Sequence, residues 1–176
     1  MSSLQKFHRR TASFGPPPPV LGAGSSTKGY YLGIAGDGTS YMYVAPTSTE
    51  IRIAWGSENI VRGTTSSTNG LANTNTLYAF GNAITTGHPA AYYCKTLTQG
   101  GYNTWYLPAI DELITMYSNK SATPFATSDS FSGTDYWLSS TENDGKYAFS
   151  FRMINGALSS WPKNNGNAWA RPVRKI

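Results

Sequence analysis

Few residues in this chain could carry chemistry, and the stretch GGYNTWYLPAIDEL, residues 100–113, holds two of them. Asp111 and Glu112 are carboxylic acids, and paired carboxylates do acid–base work when they converge on one reacting atom. Neighbouring positions on a helix point in different directions, so this pair reads as the acidic first turn of a helix, where the helix dipole favours negative charge. The histidines are His8 and His88 only. One lies in the N-terminal segment and the other just ahead of a helix-opening proline, and no triad motif accompanies either. A single cysteine, Cys94, excludes an intramolecular disulfide and a cysteine-based zinc site. With no basic residue nearby it reads as a small packed hydrophobe rather than a reactive thiol. GIAGDG lacks the Lys-Ser/Thr that completes a phosphate loop. No catalytic residue, no cofactor and no metal site is expected.

Recognition has better carriers. Aromatics set beside amides and hydroxyls make flat, polar-rimmed surfaces of the kind that bind sugars or proteins. SWPKNNGN supplies Trp161, Asn164, Asn165 and Asn167. TENDGK supplies Glu142, Asn143 and Asp144, oxygen ligands next to a glycine, although their spacing matches no complete calcium loop. These seven are the candidate ligand-binding residues. The alternative is that Trp161 and Trp169 are core and the asparagines and acids only turn the chain.

The elements that must position them follow from periodicity and punctuation. YYLGIAGDGTSYMYVAP reads as two strands about a Gly-Asp-Gly turn, and EIRIAW, residues 50–55, as a third strand. NTNTLYAFGNAI places Leu77, Phe80 and Ile84 at helical spacing after Asn and Thr caps. GHPAAYYCKTLTQGG is a helix with Pro89 in its first position and Ala90, Tyr93, Cys94 and Leu97 on one face, closed by Gly100 or Gly101. A third helix runs from about Ala109 to Asn119 with Ile110, Leu113, Ile114 and Tyr117 along one side. Between the last two helices, Trp105, Tyr106 and Leu107 are expected to tie both to a sheet. TDYWLSST reads as a strand, and KYAFSFRMI and ALSSW as a hairpin about a type I′ Asn155-Gly156 turn, with Tyr147, Phe149, Phe151 and Met153 on one face. AWARPVRKI closes the chain as a strand, with Pro172 placing it near an edge. Short antiparallel strands with two or three helices make the class α+β.

The 176 residues suit one domain with an appendage. Residues 1–28 have no hydrophobic period and carry four consecutive prolines, Pro16 to Pro19, which favour an extended spacer. This reads as an N-terminal arm, with residues 29–176 as a globular head. Leu4, Phe7 and Phe14 interleave with Lys6, Arg9 and Arg10, a pattern suited to lying along a partner's groove. The net charge of +5 is concentrated at the two ends, where Arg171, Arg174 and Lys175 match the basic arm, and the body between is close to neutral. A nucleic-acid-binding domain carries its basic face across the body, so the ends are expected to dock on an acidic surface instead. No apolar run is long enough to span a bilayer, and no signal peptide is present.

GGYNTWYLPAIDEL, then YWLSSTE, a Phe-rich strand, NG and a terminal ARPVRKI resemble the C-terminal domain of the Legionella collagen-like adhesin, the Lcl C-terminal family, over roughly residues 29–176. The resemblance implies a C-type-lectin-like fold shared with formylglycine-generating enzymes. With HPAA and Cys94 ahead of GGYNTWYLPA, the chain is similar to virion proteins of bacteriophages. Two departures matter. The formylglycine enzymes use a cysteine pair where this chain has one cysteine, and WPKNNGNAW lacks the acid of calcium-dependent lectins. The resemblance therefore implies a non-enzymatic virion component, a capsid decoration or tail or fibre protein. Its arm would meet other virion proteins and its head would stabilise the particle or touch a host-surface glycan. The expected state is multicopy or homo-oligomeric, the expected location the virion after synthesis in the host cytoplasm. A free carbohydrate-binding adhesin module is the alternative.

Overall fold

A computed structural model describes residues 17–83, 85–131 and 136–176. Leu4, Lys6, Phe7, Arg9, Arg10 and Phe14 of the expected arm, and Ile84, lie outside the described residues.

Strands β1 (Gly24–Ser25), β2 (Gly29–Ile34) and β3 (Tyr41–Val44) come first, followed by a short 3-10 turn and β4 (Ile51–Arg52). Helices α1 (Gly70–Tyr78), α2 (Pro89–Thr96), α3 (Ile110–Ser118) and α4 (Phe125–Ser128) form the middle of the chain. Strands β5 (Tyr136–Glu142), β6 (Tyr147–Arg152), β7 (Ala157–Pro162), β8 (Trp169–Ala170) and β9 (Val173–Lys175) end it. The strands pair as a four-stranded sheet, β1-β2-β3-β9, and a five-stranded sheet, β4-β8-β5-β6-β7. All pairings are antiparallel except β5 with β8. The class is α+β.

The five-stranded sheet is covered on both faces, because alternate residues of its strands enter different cores. Trp137 of β5 and Phe151 of β6 join Tyr30, Leu32, Met42, Val44 and Val173 of the smaller sheet and Ile110, Leu113 and Met116 of α3. Leu138 of β5 and Ala148 of β6 point the other way, to Trp55, Leu77 of α1, and Ala90, Ala91 and Cys94 of α2. Small residues, Ala148, Ala168 and Ala170, let the second layer approach closely. Burial holds the Cys94 thiol far above its usual titration range, so it packs as a hydrophobe.

The expected tie between helices and sheet is present. Trp105, Tyr106 and Leu107 are fully buried. Tyr106 exchanges both backbone hydrogen bonds with Val173 of β9 (2.8 and 2.9 Å). The backbone amide and carbonyl of Leu107 meet the Thr74 hydroxyl of α1 (3.0 and 3.1 Å). Helix α3 starts at an alanine whose side chain cannot cap it, so other groups do: Thr141 Oγ1, from β5, accepts from Ile110 N (3.1 Å), and Glu112 Oε2, from the helix's own first turn, accepts from Ala109 N (2.8 Å). Glu112, 1% exposed, also accepts the Tyr106 hydroxyl (2.8 Å), whereas Asp111 points away to the Ser67 hydroxyl (2.7 Å). Burial raises the Glu112 carboxyl from its ordinary value. The two acids diverge and each has a structural partner.

Several local expectations differ from what is found. Part of the segment assigned to the arm belongs to the head: β1 pairs with β2 in register Gly24↔Tyr30. The strand expected over 50–55 shrinks to β4, because its partner β8 is only two residues long. Phe80 lies beyond the end of α1 and is exposed. Helix α2 stops at Thr96, so Gly100 and Gly101, both with positive φ, do not cap it; they form the tight turn that bridges Gln99 to Tyr102. On α3 the buried face is Ile110, Leu113 and Met116, and Ile114 is 40% exposed. The β6–β7 connection is not type I′. Arg152 pairs with Ala157 across a four-residue loop in which Gly156 has φ +75° and Asn155 does not have positive φ. The longer loop lets Met153 turn into the core. The C-terminal segment is two strands of different sheets: β8 lies between β4 and β5, and β9 is the edge strand of the smaller sheet. Pro172 stands where the chain crosses between them.

Candidate functional site

At one end of the five-stranded sheet, the loop segments 56–64, 85–88, 142–146 and 162–167 converge. Backbone hydrogen bonds join them: Gly56 N to Lys163 O (2.9 Å), Ser57 N to Gly87 O (3.2 Å), and Lys163 N to Lys146 O (3.1 Å). The organiser is Glu142 at the end of β5. Its carboxylate accepts from the amides of Arg62 (2.9 Å) and Gly63 (2.8 Å) and from Lys163 Nζ (2.6 Å), with both side chains essentially inaccessible. Lys163 Nζ also donates to Ile60 O (2.8 Å) and stands 4.9 Å from the centre of the Trp55 ring. A loop of polar residues with no secondary structure of its own is thus pinned by one internal ion pair.

His88 completes this layer. It is fully buried, edge-on to Trp55 and Phe80, and its Nε2 accepts from Arg62 Nε (3.0 Å). Burial, then the neighbouring Arg62 and Lys163 cations, push the imidazole down to about 4, with Glu142 as the opposing charge. The proton therefore binds the unfolded chain more readily than the folded one. Stability is expected to fall as pH drops from 6.5 toward 4 and to level off below that, by about 2–3 kcal/mol from this group. Denaturant unfolding at pH 7 and pH 4.5, for the wild type and His88→Gln, checks it: the variant should lose most of that pH dependence.

Above this layer lies an open cleft of about 390 Å³ lined by Ser57, Glu58, Thr85 and Asn164. The Ser57 hydroxyl is buried there without a hydrogen-bond partner. Beside it, Trp161 of β7 is half-buried, tilted against Tyr136 at 4.7 Å, and donates its Nε1 hydrogen to Asn165 O (3.0 Å). Arg152 lies over the other partner of that pair, 5.1 Å from the centre of the Tyr136 ring.

The seven residues singled out in the sequence all belong to this end, in different roles. Asn164 lines the cleft. Trp161 contributes an aromatic face, and Asn165 and Asn167 shape the loop, with Asn165 Oδ1 accepting from Asn167 N (3.0 Å). Asn143 is exposed and donates to the Ser160 hydroxyl (3.1 Å). Asp144 is exposed but occupied: its Oδ1 accepts the amides of Lys146 (2.7 Å) and Tyr147 (2.8 Å), which hold the carboxyl below its ordinary range. Glu142 is not at the surface; it is the buried anchor. Among the described residues no three His, Cys, Asp or Glu side chains gather where a metal could sit. Ser57, Glu58, Thr85, Arg62 and Lys163 carried no sequence signal, since a cation in a polar loop reads as solvated until its buried partner is known.

The C-terminal basic residues are not a docking surface. Arg171 is fully buried and paired with Glu50. Arg174 is 3% exposed beneath aromatic rings. Lys175 pairs with Asp37 (2.8 Å) and, with the Ser40 and Thr39 amides, keeps that carboxyl well below its usual range. No helix among the described residues is long and apolar enough to cross a membrane.

Compared with known families, residues 47–174 match the Lcl C-terminal domain. No curated protein matches the chain.

Proposed function

Because the chain belongs to the Lcl C-terminal domain family, an adhesin-like module, we propose that it is a non-enzymatic binding head built in many copies into a bacteriophage virion. Each head contributes a weak contact with the host surface or a neighbouring subunit, and copy number supplies the avidity. The observation that carries this reading is the loop end of the larger sheet. Amides, hydroxyls, the Glu58 side chain and the Trp161 ring lie at this surface, and the Glu142–Lys163 ion pair lies buried beneath them. Such a surface suits a polyhydroxylated or amide-rich partner. The arm, with Leu4, Phe7 and Phe14 among Lys6, Arg9 and Arg10, is the anchor to other virion proteins. Synthesis takes place in the host cytoplasm.

Deleting residues 1–16 tests the anchor. The trimmed chain should melt at the same temperature as the full chain and fail to enter particles; a trimmed chain that still enters them refutes the anchor. A glycan array tests the head. Trp161→Ala should weaken any captured glycan about tenfold or more, the usual loss for a stacked aromatic anchor, with a much smaller change in melting temperature. Glycan capture by a head that never associates with particles would favour a free carbohydrate-binding adhesin, the reading closest to the family's own name.

A further inference from the structure

Among the described residues the two sheets end in four edge strands, and three of these are blunted. Strands β1 and β4 are two residues long, and β9 has Tyr106 hydrogen-bonded to Val173 along its outer side. Strand β7 is different. It runs for six residues, ALSSWP, in an unbroken register against β6 from Arg152↔Ala157 to Tyr147↔Pro162. No bulge bends it and none of its side chains is ionisable, although charge and irregularity are the usual means of keeping an edge from pairing. Leu158 is 57% exposed, and Ser160 is exposed as well.

One bond fixes which way the backbone groups of β7 point. Lys163 N donates to Lys146 O (3.1 Å), so the pair just past Tyr147↔Pro162 is a hydrogen-bonded one. Antiparallel ladders alternate bonded and non-bonded pairs. Ala157, Ser159 and Trp161 therefore turn their amides and carbonyls to β6, and Leu158, Ser160 and Pro162 turn theirs to the free edge. Pro162 has no N–H, and its carbonyl is taken by Asn165 N (3.1 Å). The edge thus presents four backbone groups, the N–H and C=O of Leu158 and of Ser160, and no described residue stands beyond the edge to meet them.

We infer that this edge pairs with the same edge of a second copy of the chain, β7 on β7, antiparallel about a two-fold axis at Ser159. In that register Leu158 faces the partner's Ser160 and Ser160 faces the partner's Leu158, so every free group of both copies enters a backbone hydrogen bond. A slip of one residue sets facing side chains on opposite faces of the sheet. A slip of two sets Leu158 against Pro162, which has no donor, or Ser160 against Gly156, whose N–H is held by Arg152 O (2.9 Å). The side chains suit the same register. On one face Trp161 stands beside the partner's Ala157, large against small. On the other, the two exposed Leu158 side chains lie diagonally across the axis, within reach of each other. A strand of another sequence would gain the backbone bonds alone, since β7 offers it no charge, whereas a second copy also covers both leucines. The interface is isologous and closes at two copies. Because the strands run antiparallel, the two loop ends with their clefts lie at opposite ends of the pair. The pairing does not depend on what the cleft binds.

Sedimentation velocity of the full chain, from about 1 μM to about 1 mM, tests the pairing. A reversible monomer–dimer equilibrium with a Kd on the order of 100 μM is expected, the weak association of a single short strand contact. Leu158→Lys places a like charge from each copy beside the axis, and Ser160→Pro removes an outward N–H that β6 does not use. Each should raise Kd about tenfold or more, with little change in melting temperature at low concentration, because both positions are exposed. Hydrogen exchange of the wild type reads the register. Raising the concentration should slow the Leu158 and Ser160 amides and leave the Trp161 amide, already bonded to β6, unchanged. A chain still monomeric at about 1 mM, or a dimer that neither substitution weakens, overturns the interface. A dimer that is lost on deleting residues 1–16 and kept in both β7 variants overturns it too, and assigns association to the arm. Glycan capture by a head that stays monomeric keeps the proposed function and refutes this pairing.

Discussion

Glu142→Ala is expected to destabilise the protein by about 3–5 kcal/mol, the range for breaking a buried ion pair from one side. The substitution leaves the Lys163 ammonium in a dry pocket with only Ile60 O, and it orphans the amides of Arg62 and Gly63. Urea unfolding reads the loss directly, and hydrogen exchange should show protection vanish first over residues 56–64. Glu142→Gln retains an acceptor for the two amides but not the charge, so it should fall between alanine and wild type. Glu142→Leu with Lys163→Met removes both charges and should recover much of the loss, because apolar side chains of similar volume often replace a buried pair without penalty. A ligand-binding role for Glu142 predicts the opposite pattern, an unchanged midpoint with altered binding. An unaltered unfolding midpoint in Glu142→Ala would end the anchor assignment.

Arg171→Ala should cost a similar amount, about 3–5 kcal/mol, while Lys175→Ala, four residues on, should cost less than about 1 kcal/mol. Arg171 donates to Ala45 O (2.7 Å), Glu50 Oε1 (2.8 Å) and Asp129 O (2.9 Å) from a position with no exposure. Its loss removes a buried cation that bridges Glu50, the Ala45 carbonyl and Asp129, and unties the Thr47 amide's partner, Asp129, from the strand crossing at Pro172. Lys175 and Asp37 keep 21% and 30% of their side-chain surface, so solvent screens the pair. Thermal melts of the two variants side by side measure the contrast. Comparable losses would mean that exposure does not separate these cations. Equal, small losses would restore the view of the C-terminus as a surface charge cluster.

The local devices were readable because each is written in adjacent residues. Pro89 opens α2, and the Gly-Asp-Gly turn closes β2 on β3. The start of α1 was misplaced: the Asn and Thr residues read as its caps lie inside the helix, and Asn69 Oδ1 caps it by accepting from Ala72 N (3.1 Å). The loop end that gathers the candidate residues was also legible, since a tryptophan among asparagines stands out by composition. The tie of Tyr106 to the sheet held; what failed were readings of which face or charge a distant partner would bury. The face of α3 rotated to Met116 because the Phe151 strand and the smaller sheet, far away in sequence, define where the core lies. The NG turn took a four-residue form because Met153 had a core to enter. Glu142 moved from surface ligand to buried anchor because Lys163, 21 residues later, returns beside it.

By itself the sequence determined the α+β class, the glycine and proline punctuation, the cysteine's packing role and the family, since these depend on residue type and short spacing. Only the tertiary structure decided which charges are spent inside. A cation's fate depends on whether an acid from another loop reaches it before water does. That is set by the pairing of β8 and β9 into separate sheets, and it leaves Lys163 and Arg171 neutralised and Arg174 without a carboxylate partner among the described residues.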